Sequence, residues 1–274
     1  ARGDVEQAVK RINPHLPEHA LEQVVAQVAK PDSLDLTISN RALHRLLLDG
    51  VPVKYKDGDD EVHDRAFLID FTHIGENRFR AVNQFTIEGT KQLRRPDVVC
   101  FINGLPVAVV ELKSPNAENV SVWDAYNQIQ TYKDEVSELF VYNEAIVISD
   151  GYNARLGSLT AHQERYMPWR TIQHEDDKPL LEWEMETMVR GFFDRERLLE
   201  YIRYFVLFET DADRLIKKIA GYHQFHAVRE AVHATVIAAQ APKENTQGER
   251  RATYGDEVTP GSKKAGVIWH TQGS

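Results

Sequence analysis

An α/β fold, with a block of helices leading into strands, is predicted by three features of this 274-residue sequence. Residues 4–48 carry apolar side chains at helical spacing, with Leu21, Val24, Val25 and Val28 on one face. Two apolar runs, Val98–Ile102 and Leu105–Val110, flank Asn103-Gly104, the strongest short-range hairpin signal. A helical stretch, Ser121–Val136, then precedes another apolar run at Ala145–Ser149. Helices, strands, helix and strand in that order describe an α/β domain.

Taken in order, Asp4–Arg11 and Pro17–Lys30 are expected helices. Ser39 or Asn40 caps a third helix through Leu48, ended by Asp49-Gly50. Val51–Tyr55 is a short strand and Asp57–Glu61 an acidic turn. Ala66–Phe71 and Arg78–Ile87 are expected strands around a turn at Gly75-Glu76-Asn77. After the Asn-Gly hairpin, Pro115 cannot continue a ladder and ends the second strand. The helix from Ser121 to Val136 is capped by Asn119 or Ser121, and places Gln128 and Tyr132 four apart on one face. Ala145–Ser149 is a buried strand, with edge strands expected at Ala154–Leu159 and Trp169–Ile172.

From about Leu180 the pattern changes. Glu182–Glu209 reads as almost continuous helix, broken near Gly191, and His223–Gln240 as another helix carrying Val228, Val232 and Val236. Residues 241–264 are polar and read as a loop, followed by a short strand at Ala265–Trp269. There is no internal repeat.

Bulk composition narrows the class. Apolar content of 42% and charged content of 27% suit a globular domain with a real core. The single cysteine, Cys100, excludes a disulfide framework and suits a reducing cytoplasm, with the residue itself expected in the core. No apolar run approaches the ~18 residues of a membrane span, and the polar start resembles neither signal nor transit peptide. A net charge of −9 argues against a wholly basic nucleic-acid surface. It leaves room for a local basic cleft, and Arg78, Arg80, Lys91, Arg94 and Arg95 cluster before the hairpin.

The second hairpin strand carries charge where a buried strand should not. With a period of two, Val107, Val109, Glu111 and Lys113 share one face. A carboxylate and an ammonium on a largely buried strand are costly unless paired or metal-bound. Either they form a structural ion pair or they do chemistry.

The pattern Pro96-Asp97 … Glu111-Leu112-Lys113, with Asn83-Gln84-Phe85, Arg95-Pro96-Asp97 and Asn103-Gly104-Leu105-Pro106 around it, resembles the restriction subunit of type I restriction–modification enzymes. The resemblance runs from about Gly50 to Asp150 and returns at Tyr222-His223-Gln224-Phe225 and Val267–Ser274. It implies a PD-(D/E)xK nuclease core, a mixed central sheet flanked by helices, over residues 1–180. It further implies a helical segment opening a RecA-like motor domain over residues 181–274.

The implied activity is Mg²⁺-dependent hydrolysis of double-stranded DNA after ATP-driven translocation by the full-length subunit. The implied partners are methyltransferase and DNA-specificity subunits, in the cytoplasm and away from membranes. Asp97, Glu111 and the Leu112 carbonyl would hold Mg²⁺, a hard cation that prefers oxygen ligands and retains waters. Lys113 would position the attacking water or offset phosphoryl charge. The family also carries a Gln-x-x-x-Tyr motif after this lysine, matched by Gln128 and Tyr132, which implies a supporting or DNA-contacting role.

For the motor, the resemblance assigns adenine recognition to Tyr222 and Gln224, since a glutamine amide both donates and accepts. Thr271, Gly273 and Ser274 look like the first half of a phosphate-binding loop. The sequence reaches Ser274 without the lysine of that loop, so it is expected to frame ATP without hydrolysing it. Zinc is not expected, because His223 and His226 lack a third ligand. The alternatives are a stand-alone repair-type nuclease on the same fold, or a non-catalytic DNA-binding or assembly module.

The catalytic reading makes one geometric demand. A plain two-residue turn at Asn103-Gly104 would set Asp97 opposite Val110, pointing away from Glu111. A shared metal therefore requires an odd offset between the strands. A three-residue loop, Ile102-Asn103-Gly104, with a bulge at Gly104 is the expected source, making Asp97 and Glu111 diagonal neighbours.

Overall fold

The structure, a computed structural model, describes residues 2–29, 33–89, 92–116, 120–173, 183–240, 261 and 266. The expected loop at 241–264, the strand at 265–269 and the candidates Thr271, Gly273 and Ser274 lie outside the described residues, apart from Gly261 and Gly266. The chain divides into two compact units, the second beginning at Ala220.

Helices α1 (Arg2–Ile12), α2 (Glu18–Val28) and α3 (Leu36–Asp49) open the first unit. The start of α3 corrects the expected cap: Asp35, not Ser39 or Asn40, accepts a hydrogen bond from Ile38 N at 2.8 Å. Ser39 and Asn40 are buried within the helix. There the Asn40 amide donates to the Phe140, Val141 and Asn143 carbonyls.

Strands β1 (Val51–Asp57) and β2 (Asp60–Ala66) form a separate two-stranded ribbon. The strand expected at Ala66–Phe71 is therefore misplaced, since β2 ends where it was to begin. Asn13 supplies the reason: its side chain accepts from Phe67 N at 2.7 Å and donates to Phe67 O at 2.9 Å. Backbone groups satisfied by a side chain are lost to a ladder.

The central sheet follows. Its strands are β3 (Phe79–Asn83), then, after the short pair β4 (Ile87–Glu88) and β5 (Leu93–Arg94), β6 (Val98–Ile102) and β7 (Leu105–Leu112). Helix α4 (Val122–Glu135) leads to β8 (Ala145–Ser149) and β9 (Ala154–Gly157). The sheet order is β3-β6-β7-β8-β9, with β7 and β8 parallel and every other pair antiparallel. Parallel neighbours need a crossover, and α4 provides it. Ser121 caps α4 by a reciprocal capping box with Asp124.

Two expected strands need correction here. Arg78–Ile87 is split into β3 and β4, with Gln84 at φ 51 between them. Trp169–Ile172 is not a strand, and only a single bridge, Leu156 to Met167, extends the edge. Trp169 is instead buried, its indole N–H donating to Thr171 O at 2.9 Å.

The expected helix over Glu182–Glu209 is the largest correction. Helix α5 (Glu184–Thr187) passes into one π-helical turn over Met188–Phe192, and α6 (Arg195–Tyr204) restarts under an Asp194 cap. The break at Gly191 is where the sequence placed it. Val206–Ile219, however, is a hairpin of β10 (Val206–Asp211) and β11 (Arg214–Ile219). Ala212 and Asp213 turn it with φ of 45 and 68, the left-handed pair that a tight hairpin needs.

Helix α7 (Tyr222–Ala239) belongs to the second unit, and Val228, Val232 and Val236 are exposed on it. No described helix is long and apolar enough to cross a membrane.

Candidate active site

The hairpin geometry decides whether Asp97 and Glu111 can meet. Asn103 and Gly104 have φ of 53 and 84, so the loop is a two-residue turn with both residues left-handed, and Ile102 pairs with Leu105. The three-residue loop with a bulge at Gly104 is thus a correction. Asn103 holds this conformation because its side chain accepts from Arg78 N at 2.8 Å and donates to Leu68 O and Asn77 Oδ1, each at 2.9 Å.

The odd offset arises elsewhere. Phe101 pairs with Pro106, yet Cys100 pairs with Ala108, so Val107 is an extra residue in β7. Pro106 has no N–H to give a ladder, and a bulge is where a strand tolerates that. Beyond it Val98 faces Val110, and the same register sets Asp97 against Glu111. The carboxylates are therefore directly opposed rather than diagonal, and opposed residues share a face.

That face lies under α4. Val99, Phe101, Val109, Ile146 and Ile148 from the sheet pack with Val122, Ala125, Ile129 and Tyr132 from the helix. Glu111 sits at the end of this apolar layer, only 4% exposed. Its Oε1 accepts from Lys113 Nζ at 3.0 Å, while Oε2 is buried without a well-formed hydrogen bond, the Tyr132 hydroxyl being the other polar group beside this carboxyl. Burial pushes the Glu111 carboxyl above the usual carboxylate range; the Lys113 ammonium opposes this and the Asp97 charge adds to it. Because its folded pKa exceeds the unfolded value, ionised Glu111 costs the fold stability as pH rises through that range.

Asp97 is held at three points. Its carbonyl accepts from Gln84 N at 2.8 Å, its Oδ1 from Gln84 Nε2 at 2.9 Å and its Oδ2 from Leu112 N at 2.8 Å. Each carboxylate oxygen retains a further acceptor site. Lys113 N donates to Ser149 O at 2.7 Å, which anchors the end of β7 to β8.

Tyr132 is buried, with its hydroxyl 3.4 Å from Arg95 O. Burial and the neighbouring Glu111 charge push its phenol up to about 12, so it remains a neutral donor near pH 7. Gln128, one turn earlier and half-buried, acts on the same hydroxyl. The structure thus gathers Asp97, Glu111, Lys113, Gln128 and Tyr132 at one end of β7.

Does this set fit a cation? Two opposed carboxylates, one with a buried oxygen lacking a well-formed hydrogen bond, are hard oxygen donors that a divalent ion would satisfy. Among the described residues no cluster of three or more His, Cys, Asp or Glu ligands exists. Such an ion would keep several waters, as Mg²⁺ commonly does. The donor set fits.

The basic cluster is partly neutralised. Arg94 Nε lies 2.6 Å from Glu135 Oε2, and Arg78 and Arg80 lie 3.8 and 3.5 Å from Asp4. Arg95 is exposed beside the site, and Lys91 is outside the described residues. Cys100 is half-buried in β6, with burial raising its thiol to about 11.

The motor candidates Tyr222 and Gln224 lie in the second unit. Both occupy the first turn of α7, where Gln224 Oε1 accepts from Gly221 N at 2.9 Å.

Gln84 is the contact that sequence reasoning missed as a site residue. It lies within Asn83-Gln84-Phe85, and its place just past the strand that pairs with β6 is the available signal.

Comparison with known proteins shows the family. A family described as "Type I restriction enzyme R protein N terminus" matches residues 2–165. The "Type I restriction enzyme HindI endonuclease subunit" of Haemophilus influenzae is 44% identical, covering 100% of this chain and 26% of that protein. The "Putative type I restriction enzyme MjaIXP endonuclease subunit" of Methanocaldococcus jannaschii is 30% identical, over 97% of this chain and 25% of that protein. The chain spans about a quarter of the length of these curated relatives.

Proposed function

The chain belongs to the family of type I restriction enzyme R protein N-terminal regions, and from that premise we propose that it is the DNA-cleaving module of a larger restriction subunit. The observation that carries this reading is the bulge at Val107, which sets Asp97 opposite Glu111 on one face. The buried Glu111 Oε2, without a well-formed hydrogen bond, supports it.

In this reading Asp97, Glu111 and the Leu112 carbonyl hold Mg²⁺. The ion supplies Lewis-acid stabilisation of the phosphoryl group and lowers the pKa of bound water. Lys113, at 3.0 Å from Glu111, orients the attacking water and donates to a non-bridging phosphoryl oxygen. Water oxygen bonds to phosphorus and gives its proton to solvent, while the phosphorus–sugar oxygen bond breaks and the leaving oxygen takes a proton from solvent water. Tyr132, too buried to reach DNA, fixes the backbone at Arg95 and borders Glu111. Gln128 stands on the more exposed side of that pair and is the one placed to contact DNA.

The larger subunit would add an ATP-driven motor on double-stranded DNA, together with methyltransferase and specificity subunits. Within it Gln224 and Tyr222 would meet adenine, and Gln224 keeps its amide nitrogen for that purpose while its oxygen caps α7.

A second reading, a non-catalytic DNA-binding or assembly module, draws on the Glu111–Lys113 ion pair, which has the geometry of a structural contact. Calorimetric titration with Mn²⁺ separates the two. One site is expected on the wild-type chain, lost in Asp97→Ala and in Glu111→Ala. Its affinity should weaken as pH falls through the elevated Glu111 pKa, because a proton then competes with the ion. An absence of binding, or binding indifferent to both substitutions, would leave the scaffold reading.

A further inference from the structure

We propose that Gln84 is a positioning residue that presents the Asp97 carboxylate to the bound cation, a step that rests on the metal-site reading above. Gln84 adopts φ 51, a left-handed conformation that costs a residue with a Cβ and is usually left to Gly, Asn or Asp. It stands one residue beyond β3, where Asn83 pairs with Val98.

The unusual backbone has a specific result. It turns both donors of one residue onto one aspartate: Gln84 N reaches Asp97 O at 2.8 Å and Gln84 Nε2 reaches Asp97 Oδ1 at 2.9 Å. Leu112 N, from the strand on the other side of β6, takes Asp97 Oδ2 at 2.8 Å. The carboxylate is therefore strung between β7 and the end of β3, with its plane fixed at both oxygens.

Packing cannot do this work, because Asp97 is only half-buried at the sheet end. Without the Gln84 amide, one oxygen is released and the group turns about its last bond. Ligand orientation by an outer hydrogen-bond partner commonly changes metal affinity by about 10–100-fold. Gln84 meets the definition of such a partner, since it touches the ligand and not the ion.

The backbone provides a clean test, because glycine suits φ 51 better than glutamine does. Gln84→Gly removes the amide while relieving the conformation, and Gln84→Met removes the amide while keeping the length. Both variants of the 274-residue chain are titrated with Mn²⁺ by calorimetry and unfolded in urea, beside wild type and Asp97→Ala. Gln84→Gly is expected to unfold at the same or higher urea concentration as wild type, yet to bind Mn²⁺ roughly ten-fold or more weakly. Gln84→Met should show the same loss of affinity. Wild-type affinity in both variants, with binding abolished in Asp97→Ala, overturns the role of Gln84 alone. A wild-type chain that binds no Mn²⁺ overturns it together with the metal centre.

Discussion

Glu111→Ala in the full-length subunit is expected to end DNA cutting while leaving ATP hydrolysis largely intact. Removing a single preorganised electrostatic group from a phosphoryl- or acyl-transfer site costs roughly 10²–10³-fold in rate. Loss of a metal ligand should cost at least that, because Asp97 would be left as the only side-chain carboxylate on the ion. Asp97→Ala should behave alike. Lys113→Ala has two expected consequences: it removes the group that we propose faces the phosphoryl oxygens, and it strips Glu111 Oε1 of its partner. Glu111 would then lie higher still above its ordinary pKa, so the residual cutting of Lys113→Ala should be steeper in pH. Plasmid linearisation by the assembled complex, with ATP turnover in parallel, measures both. Near wild-type cutting by Glu111→Ala would show that the chemistry lies elsewhere.

The second large effect concerns a charge buried far from the site along the chain. Lys217 of β11 is almost fully buried, and its ammonium donates to Glu144 Oε2 at 2.8 Å, Asn40 Oδ1 at 2.9 Å and the Asn143 carbonyl. His44 Nδ1 lies 3.0 Å from the same Glu144 oxygen. Burial alone would raise the Glu144 carboxyl, but Lys217 and His44 hold it below the usual range. The lysine backbone is bound as well, by Ser158 and Thr160 hydroxyls at 2.6 and 2.8 Å. The network thus ties the β10–β11 hairpin to α3 and to the approach to β8. Lys217→Ala strands Glu144 in the core, a defect that costs about 3–5 kcal/mol. That is a large part of the ~5–15 kcal/mol that holds a domain folded. The urea midpoint should fall sharply, and less so when Lys217→Met is combined with Glu144→Gln. Since the Glu144 pKa is depressed, its contribution is present above the unfolded value and is lost as pH falls through the folded one. An unchanged midpoint in Lys217→Ala would mean that the buried pair contributes nothing.

Much of the site was legible because it depends on short-range rules. Asn103-Gly104 marked the hairpin, and charge on an apolar strand marked Glu111 and Lys113. Helical spacing placed Gln128 and Tyr132 together. The demand for an odd offset followed from period-two alternation alone. Its location did not, since glycine at 104 suits a two-residue turn equally well, and the absent N–H of Pro106 was the signal overlooked. Ser39 and Asn40 are good caps locally, yet the Ser39 hydroxyl donates to Ser33 O and the Asn40 amide faces groups about a hundred residues away. The hairpin at Val206–Ile219 was read as helix in its first half because Leu, Phe and charged residues continue the preceding pattern. Its turn, Asp211-Ala212-Asp213, carries no glycine to announce itself. The identity of the buried partner of Lys217 is a property of tertiary contact and lies beyond any local pattern.

The shared metal site is tested most directly by anomalous diffraction at the manganese edge from crystals of this chain grown with Mn²⁺. One peak is expected between β6 and β7, bound by one oxygen from Asp97 and by Glu111 Oε2 at roughly 2.0–2.2 Å. A well-ordered Asp97–Glu111 pair with no peak between them, and Mn²⁺ bound only elsewhere, would contradict it.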